Sequence, residues 1–199
     1  MKRRHLLLLA GMSVLTAPAC EPADTGEAEA DATEAAAPPP SATTVRSEML
    51  ADLGELREKY LRLADAMPES AYGWRPAEGV RSVSEVYMHI AAANFGIVMS
   101  VLEVQPPTMA DPAWYDFQNA ESIADKMTIG EALAASFDYV GEVIQGASDT
   151  RLQEAVDLFG RETSVRGALL LVITHCHEHL GQSIAYARMN GVTPPWSEG

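Results

Sequence analysis

The segment His175-Cys176-His177-Glu178-His179-Leu180-Gly181-Gln182 holds three of the chain's five histidines. An α-helix advances about 100° per residue, so His175 and His179 share one face, with Cβ atoms about 5–6 Å apart. Gln182 and Tyr186 continue that face, while His177 turns away from it. Neutral imidazole is the commonest metal-binding side chain, and two of them one turn apart make a ready pair of ligands. His89 is the candidate third. It stands among Val86, Ile90 and Ala93, where a buried imidazole needs a partner for each ring nitrogen. A metal on one nitrogen and an acceptor such as Glu85 on the other would meet that need. Three imidazoles leave coordination positions open, which is the pattern of a catalytic site rather than a structural one.

The neighbouring residues refine the chemistry. Cys176 stands where a His-Glu-x-x-His protease motif carries its general base, which argues against that protease class. It reads instead as a buried structural thiol. Glu178, about 60° off the ligand face, and Tyr186, on that face, are the candidate catalytic residues for moving protons. Their bland alternatives are a solvated helix residue and a packing residue with a polar tip. Gln182, with Tyr186, is placed to orient a bound water or substrate. Trp74, Arg75 and Trp114 fall in loops; they read first as packing residues, with a pocket rim as the alternative. Three imidazoles suit a divalent cation, zinc first, with nickel, copper, iron or manganese as other choices.

Four helical segments must position these groups. Met49, Leu50, Leu53, Leu56, Tyr60, Leu61 and Leu63 form a helical apolar stripe over Thr44–Ala66, which Met67-Pro68 ends. A loop over Pro68–Val80 leads to a second helix, capped by Ser82 or Ser84 and reaching Leu102. A long connection, Glu103–Met127, precedes a third helix that the capping-box pattern Thr128-Ile129-Gly130-Glu131 would open and Gly146 close. After Asp149–Arg161, with a short hairpin over Ala155–Phe159 turning at Gly160-Arg161, a fourth helix runs from Thr163 or Ser164 to Asn190-Gly191. The expected fold is all-α: a four-helix bundle with long crossover connections, an architecture whose core often carries metal ligands.

Lys2, Arg3 and Arg4, then Leu6–Ala10 and Met12–Leu15, then Ala17-Pro18-Ala19 read as a signal peptide over residues 1–19. Cys20 follows the small residues as the lipidated cysteine of a bacterial lipoprotein would, with simple cleavage after Ala19 as the alternative. Residues 20–44 carry six acidic and no basic side chains, many alanines and Pro38-Pro39-Pro40, the composition of a disordered linker. Residues 45–199 are then the folded domain. The expected location is outside the cytoplasm, periplasmic or membrane-anchored. The whole chain has a net charge of −14, which argues against nucleic acid as a partner. The partners expected are a small-molecule substrate, the membrane only through a lipid on Cys20, and a second copy in a homodimer.

His89, His175-x-x-x-His179-Leu180-Gly181-Gln182, Tyr186-Ala187-Arg188 and Gly191-Val192-Thr193-Pro194-Pro195 together resemble the DinB-like (YfiT-like) family of metalloproteins. Met67-Pro68-Glu69 and Trp74-Arg75-Pro76 resemble the family's segment between its first two helices. The resemblance implies a four-helix bundle with crossover topology and a divalent metal on His89, His175 and His179. It also implies a possible thiol-dependent transferase activity, as in some relatives, and no role as a DNA polymerase. Low-molecular-weight thiols are scarce outside the cytoplasm, so an export signal counts against that chemistry. The expected function is a metal-dependent hydrolase or transferase, with a non-catalytic metal-binding or sensing module as the alternative.

Overall fold

A computed structural model of the chain describes residues 44–197. The expected signal peptide, Cys20 and nearly all of the expected linker lie outside the described residues. Four long helices form the domain: α1 (Val45–Ala66), α2 (Val83–Leu102), α3 (Lys126–Gly146) and α5 (Val165–Met189). A short helix not expected from the sequence, α4 (Asp149–Gln153), and an antiparallel hairpin, β1 (Ala155–Leu158) with β2 (Arg161–Ser164), lie between α3 and α5.

Local chemistry sets the helix starts. Ser82 and Glu85 form a reciprocal capping box on α2: the Glu85 amide donates to Ser82 Oγ (3.3 Å) and the Ser82 amide to Glu85 Oε2 (2.7 Å). Ser164 caps α5 by accepting from the Gly167 amide. In α3 the start lies earlier than the Thr128 capping pattern predicts. Asp125 is the N-cap, and the Thr128 amide and hydroxyl both donate to its Oδ1, at 2.8 and 2.6 Å. The Thr128 hydroxyl is thereby engaged with a stronger, ionised acceptor and does not cap. The hairpin also turns one residue earlier than expected, at Phe159-Gly160, where both residues have positive φ (54° and 85°) as a two-residue reverse turn requires.

Around the bundle the neighbours run α1, α3, α2, α5, so α1 faces α2 and α3 faces α5 across the diagonals. Lys126, at the start of α3, donates to the carbonyls of Asp65 and Met67 at the end of α1. The start of α2 lies at the same end, where Ser84 pairs with Tyr72. Thus α2 and α3 run parallel, and segment 103–125 must travel the length of the bundle to join them. Glu103 closes α2 in the left-handed conformation (φ 56°) and reverses the chain. The returning strand of chain then retraces α2: Tyr115 packs on Phe95 with ring centroids 5.5 Å apart, and Phe117 lies over Gly96, where a Cβ would come within 1.8 Å of its ring.

The core is built on large side chains, and the buried phenols of Tyr60 and Tyr72 find carbonyl acceptors. Tyr60 packs against Tyr87 and Phe137 (centroids 6.4 and 5.4 Å) and donates to the Cys176 carbonyl at 2.7 Å. Tyr72 donates to the Ala64 carbonyl at 2.8 Å. Among the described residues α2 alone is long and apolar enough to cross a membrane, and here it is the buried centre of the bundle.

Candidate metal centre

His89 comes from the first half of α2, and His175 and His179 flank the middle of α5. These helices are neighbours, and their opposed directions bring the three residues level. The ring centroids are 5.2 Å (89–175), 4.9 Å (89–179) and 4.6 Å (175–179) apart. One nitrogen from each ring lies within 4.8 Å of the other two. The converging atoms are the Nε2 positions, because the Nδ1 atoms of two rings are engaged elsewhere. His89 Nδ1 is 3.1 Å from Glu121 Oε1, and His179 Nδ1 is 2.7 Å from Gln182 Oε1. His175 Nε2 lies 3.3 Å from His89 Nε2, a separation that a shared proton or a cation holds together. His175 Nδ1 is buried and has no hydrogen-bond partner among the described residues.

Burial disfavours the charged forms of His89 and His175. Burial lowers the pKa of His89 to about 4, assisted by the nearby Arg81 charge and by His179. Burial likewise lowers His175 to about 4, with His179 and His89 adding to the shift and Glu178 opposing it. Imidazoles with lone pairs turned toward one point can chelate a divalent cation, so the donor set fits such an ion.

The acceptor for His89 differs from the one expected. Glu85 is committed to the capping box and to Arg75, whose Nη2 donates to Glu85 Oε1 at 2.7 Å. That hydrogen bond holds the Glu85 carboxyl below its ordinary range. Glu121, from a 3₁₀ turn (Ala120–Ser122) in the long connection, takes the role. No periodicity marks a loop carboxylate as a histidine partner; only the path of the connection back along α2 reveals it. Arg81, also unmarked by the sequence, donates from Nε to the same Glu121 oxygen at 2.9 Å.

The other candidates separate cleanly. His177 points away and meets Asp52 on α1 (Nε2 to Oδ1, 2.9 Å). Cys176 is fully buried, its Sγ 3.3 Å from Asn94 Oδ1, and burial pushes its thiol up to about 12. Glu178 is exposed. Tyr186 is buried, accepts from Gln182 Nε2 (2.9 Å) and donates to the Arg81 carbonyl (3.1 Å). Gln182 therefore orients His179 within the protein. Beside the histidines opens a polar cavity of about 570 Å³, lined by Arg75, Val80, Arg81, Glu85, Glu121 and Gln182. Arg75 thus lines a pocket rather than serving only as a packing residue. Trp74 does not line this cavity and packs edge-on against Tyr186 (5.4 Å), and Trp114 does not line it either. A more apolar cavity of about 420 Å³, between Leu102, Val104, Tyr139 and Val143, lies toward the opposite end of the bundle.

Comparison with known proteins agrees with this fold. The model of the DinB superfamily matches residues 52–183. No curated protein matches the chain. Among solved structures, a DinB-like protein from Bacillus cereus ATCC 10987 is similar at TM-score 0.63 and 21% identity, covering 74% of this chain and 93% of that one. A conserved protein from Enterococcus faecalis is similar at TM-score 0.61 and 18% identity, covering 74% and 97%. A DinB-like protein from Bacillus subtilis follows at TM-score 0.54 and 19% identity, covering 73% and 94%. At these identities the likeness to the solved structures carries the fold.

Proposed function

This chain belongs to the DinB superfamily, and from that premise we propose that it is a metal-dependent enzyme acting on a small polar substrate outside the cytoplasm. The observation that carries the proposal is the convergence of three imidazole nitrogens with no fourth histidine, cysteine or carboxylate in the cluster among the described residues. His89, His175 and His179 are the ligands, and zinc is the first choice of ion. Bound there, a divalent cation supplies Lewis acidity and lowers the pKa of a coordinated water or thiol. The chain's own residues do the rest. Glu121 and Gln182 hold two of the ligands in place. The cavity beside them offers Arg75 and Arg81, both charged, to a polar substrate. Glu178, exposed one turn from His175, is the group for carrying protons to solvent; Tyr186, engaged on both sides, acts by fixing Gln182.

Metal analysis of the purified full chain tests the reading. One divalent ion per chain is expected, lost in His89→Ala and retained in His177→Ala. A metal-free wild type, or equal loss in both variants, would overturn it. Export is supported by the basic and apolar segments before Cys20. Lipidation predicts palmitate incorporation and membrane fractionation that disappear in Cys20→Ser; a soluble, unlabelled wild type in the envelope would point to simple cleavage instead.

A further inference from the structure

Two hydrogen-bond chains leave the histidine cluster by different routes and end on the same residue. From His179 the route is His179 Nδ1–H to Gln182 Oε1 (2.7 Å), Gln182 Nε2–H to the Tyr186 hydroxyl (2.9 Å), and Tyr186 O–H to the Arg81 carbonyl (3.1 Å). From His89 it is His89 Nδ1–H to Glu121 Oε1 (3.1 Å), the same oxygen that accepts Arg81 Nε–H (2.9 Å). We infer that Arg81 is the positioning residue of the metal centre, setting His179 through its carbonyl and His89 through its guanidinium. The inference rests on the three-histidine reading of the site.

The direction of the first chain is fixed at its far end. A carbonyl only accepts, so the Tyr186 proton goes to Arg81, and the phenol oxygen must then accept from Gln182. That leaves the Gln182 carbonyl facing His179, which obliges His179 to carry its proton on Nδ1. Rotating the amide by 180° would turn two N–H groups on His179, demand a proton on Nε2 and leave the Arg81 carbonyl without its donor. In the second chain an ionised carboxylate only accepts, so His89 too carries its proton on Nδ1. Glu121 stands on a short turn of a long connection, and Arg81 is the cation that holds it. Both Nε2 lone pairs are thereby directed at the cluster. His175, with a buried and unpartnered Nδ1, has no such device. Arg81 itself directly precedes Ser82, the capped start of α2, so its backbone is anchored by the capping box.

The test uses the full chain and two readouts. Long-range proton–nitrogen NMR on the metal-free protein reports the histidine tautomers. Competition with a chromophoric chelator reports Zn²⁺ affinity. In the wild type, His89 and His179 are expected as Nδ1–H tautomers. Arg81→Ala should erode the His89 tautomer, spare that of His179, and weaken Zn²⁺ binding about ten-fold or more. Glu121→Ala should match it, and the double variant should be no weaker than the worse single one; additive losses would overturn the shared chain. Tyr186→Phe should release the His179 tautomer instead. Arg81→Lys, which keeps the charge beside Glu121, should recover part of the loss and serves if Arg81→Ala does not fold. Wild-type tautomers and wild-type Zn²⁺ affinity in folded Arg81→Ala would overturn the inference. A wild type whose tautomers behave as described but which takes no zinc would sink the metal reading and leave the assignment of Arg81 standing.

Discussion

His89 and His175 carry an energetic consequence that does not depend on metal. Their pKa values in the fold are lowered to about 4, against an ordinary 6.5. Between these values the unfolded chain binds protons that the folded chain refuses, so stability rises with pH across that window. The charges facing the two rings are Arg81 and the carboxylates Glu121 and Glu178, with His179 completing the cluster. The metal-free protein is therefore expected at full stability above pH about 6.5, losing on the order of a few kcal/mol as pH falls toward about 4, after discounting for residual solvent. Denaturant titrations across this range check it, and His89→Ala with His175→Ala should flatten the slope. A slope of the opposite sign would mean that the folded rings hold protons.

The connection between α2 and α3 works as an element although it has little regular structure. Gly96 lets the Phe117 ring lie directly on α2, since any Cβ there would enter it. Gly96→Ala should lift Phe117 and make segment 103–125 several-fold more sensitive to a protease. The bundle's melting temperature should change little, because alanine in a helix interior returns roughly 1 kcal/mol. Unchanged protease sensitivity would show that Phe117 does not pin the connection. This element also marks the limit of what the sequence told. The helices were legible because a 3.6-residue apolar period is imposed by burial, and the histidine cluster because His175 and His179 share a helix face. Glu121 was not: its role comes from where a chain reversed at Glu103 has climbed by the time it reaches residue 121, level with His89. Glu85, one turn from His89, was the local choice, and the demand of the helix N-terminus for a cap took it first.

At the scale of the whole molecule, a cation held by His89, His175 and His179 as proposed would tie α2 to α5. Binding to the folded state alone should stabilise it by ~2.7 kcal/mol at free zinc one hundred times the Kd. For a domain of this size that is roughly a 5–10 °C rise in melting temperature, reversed by a chelator and absent in His89→Ala; calorimetry with and without zinc decides it. The retracing connection gives the molecule a division of labour. Helices α2 and α5 dictate where the donor atoms stand, whereas segment 103–125 supplies the carboxylate that governs how strongly one of them donates. On the proposed reading, coordination geometry and ligand basicity are written in separate stretches of chain, so a sequence change confined to the connection would retune a metal held there without refolding the bundle.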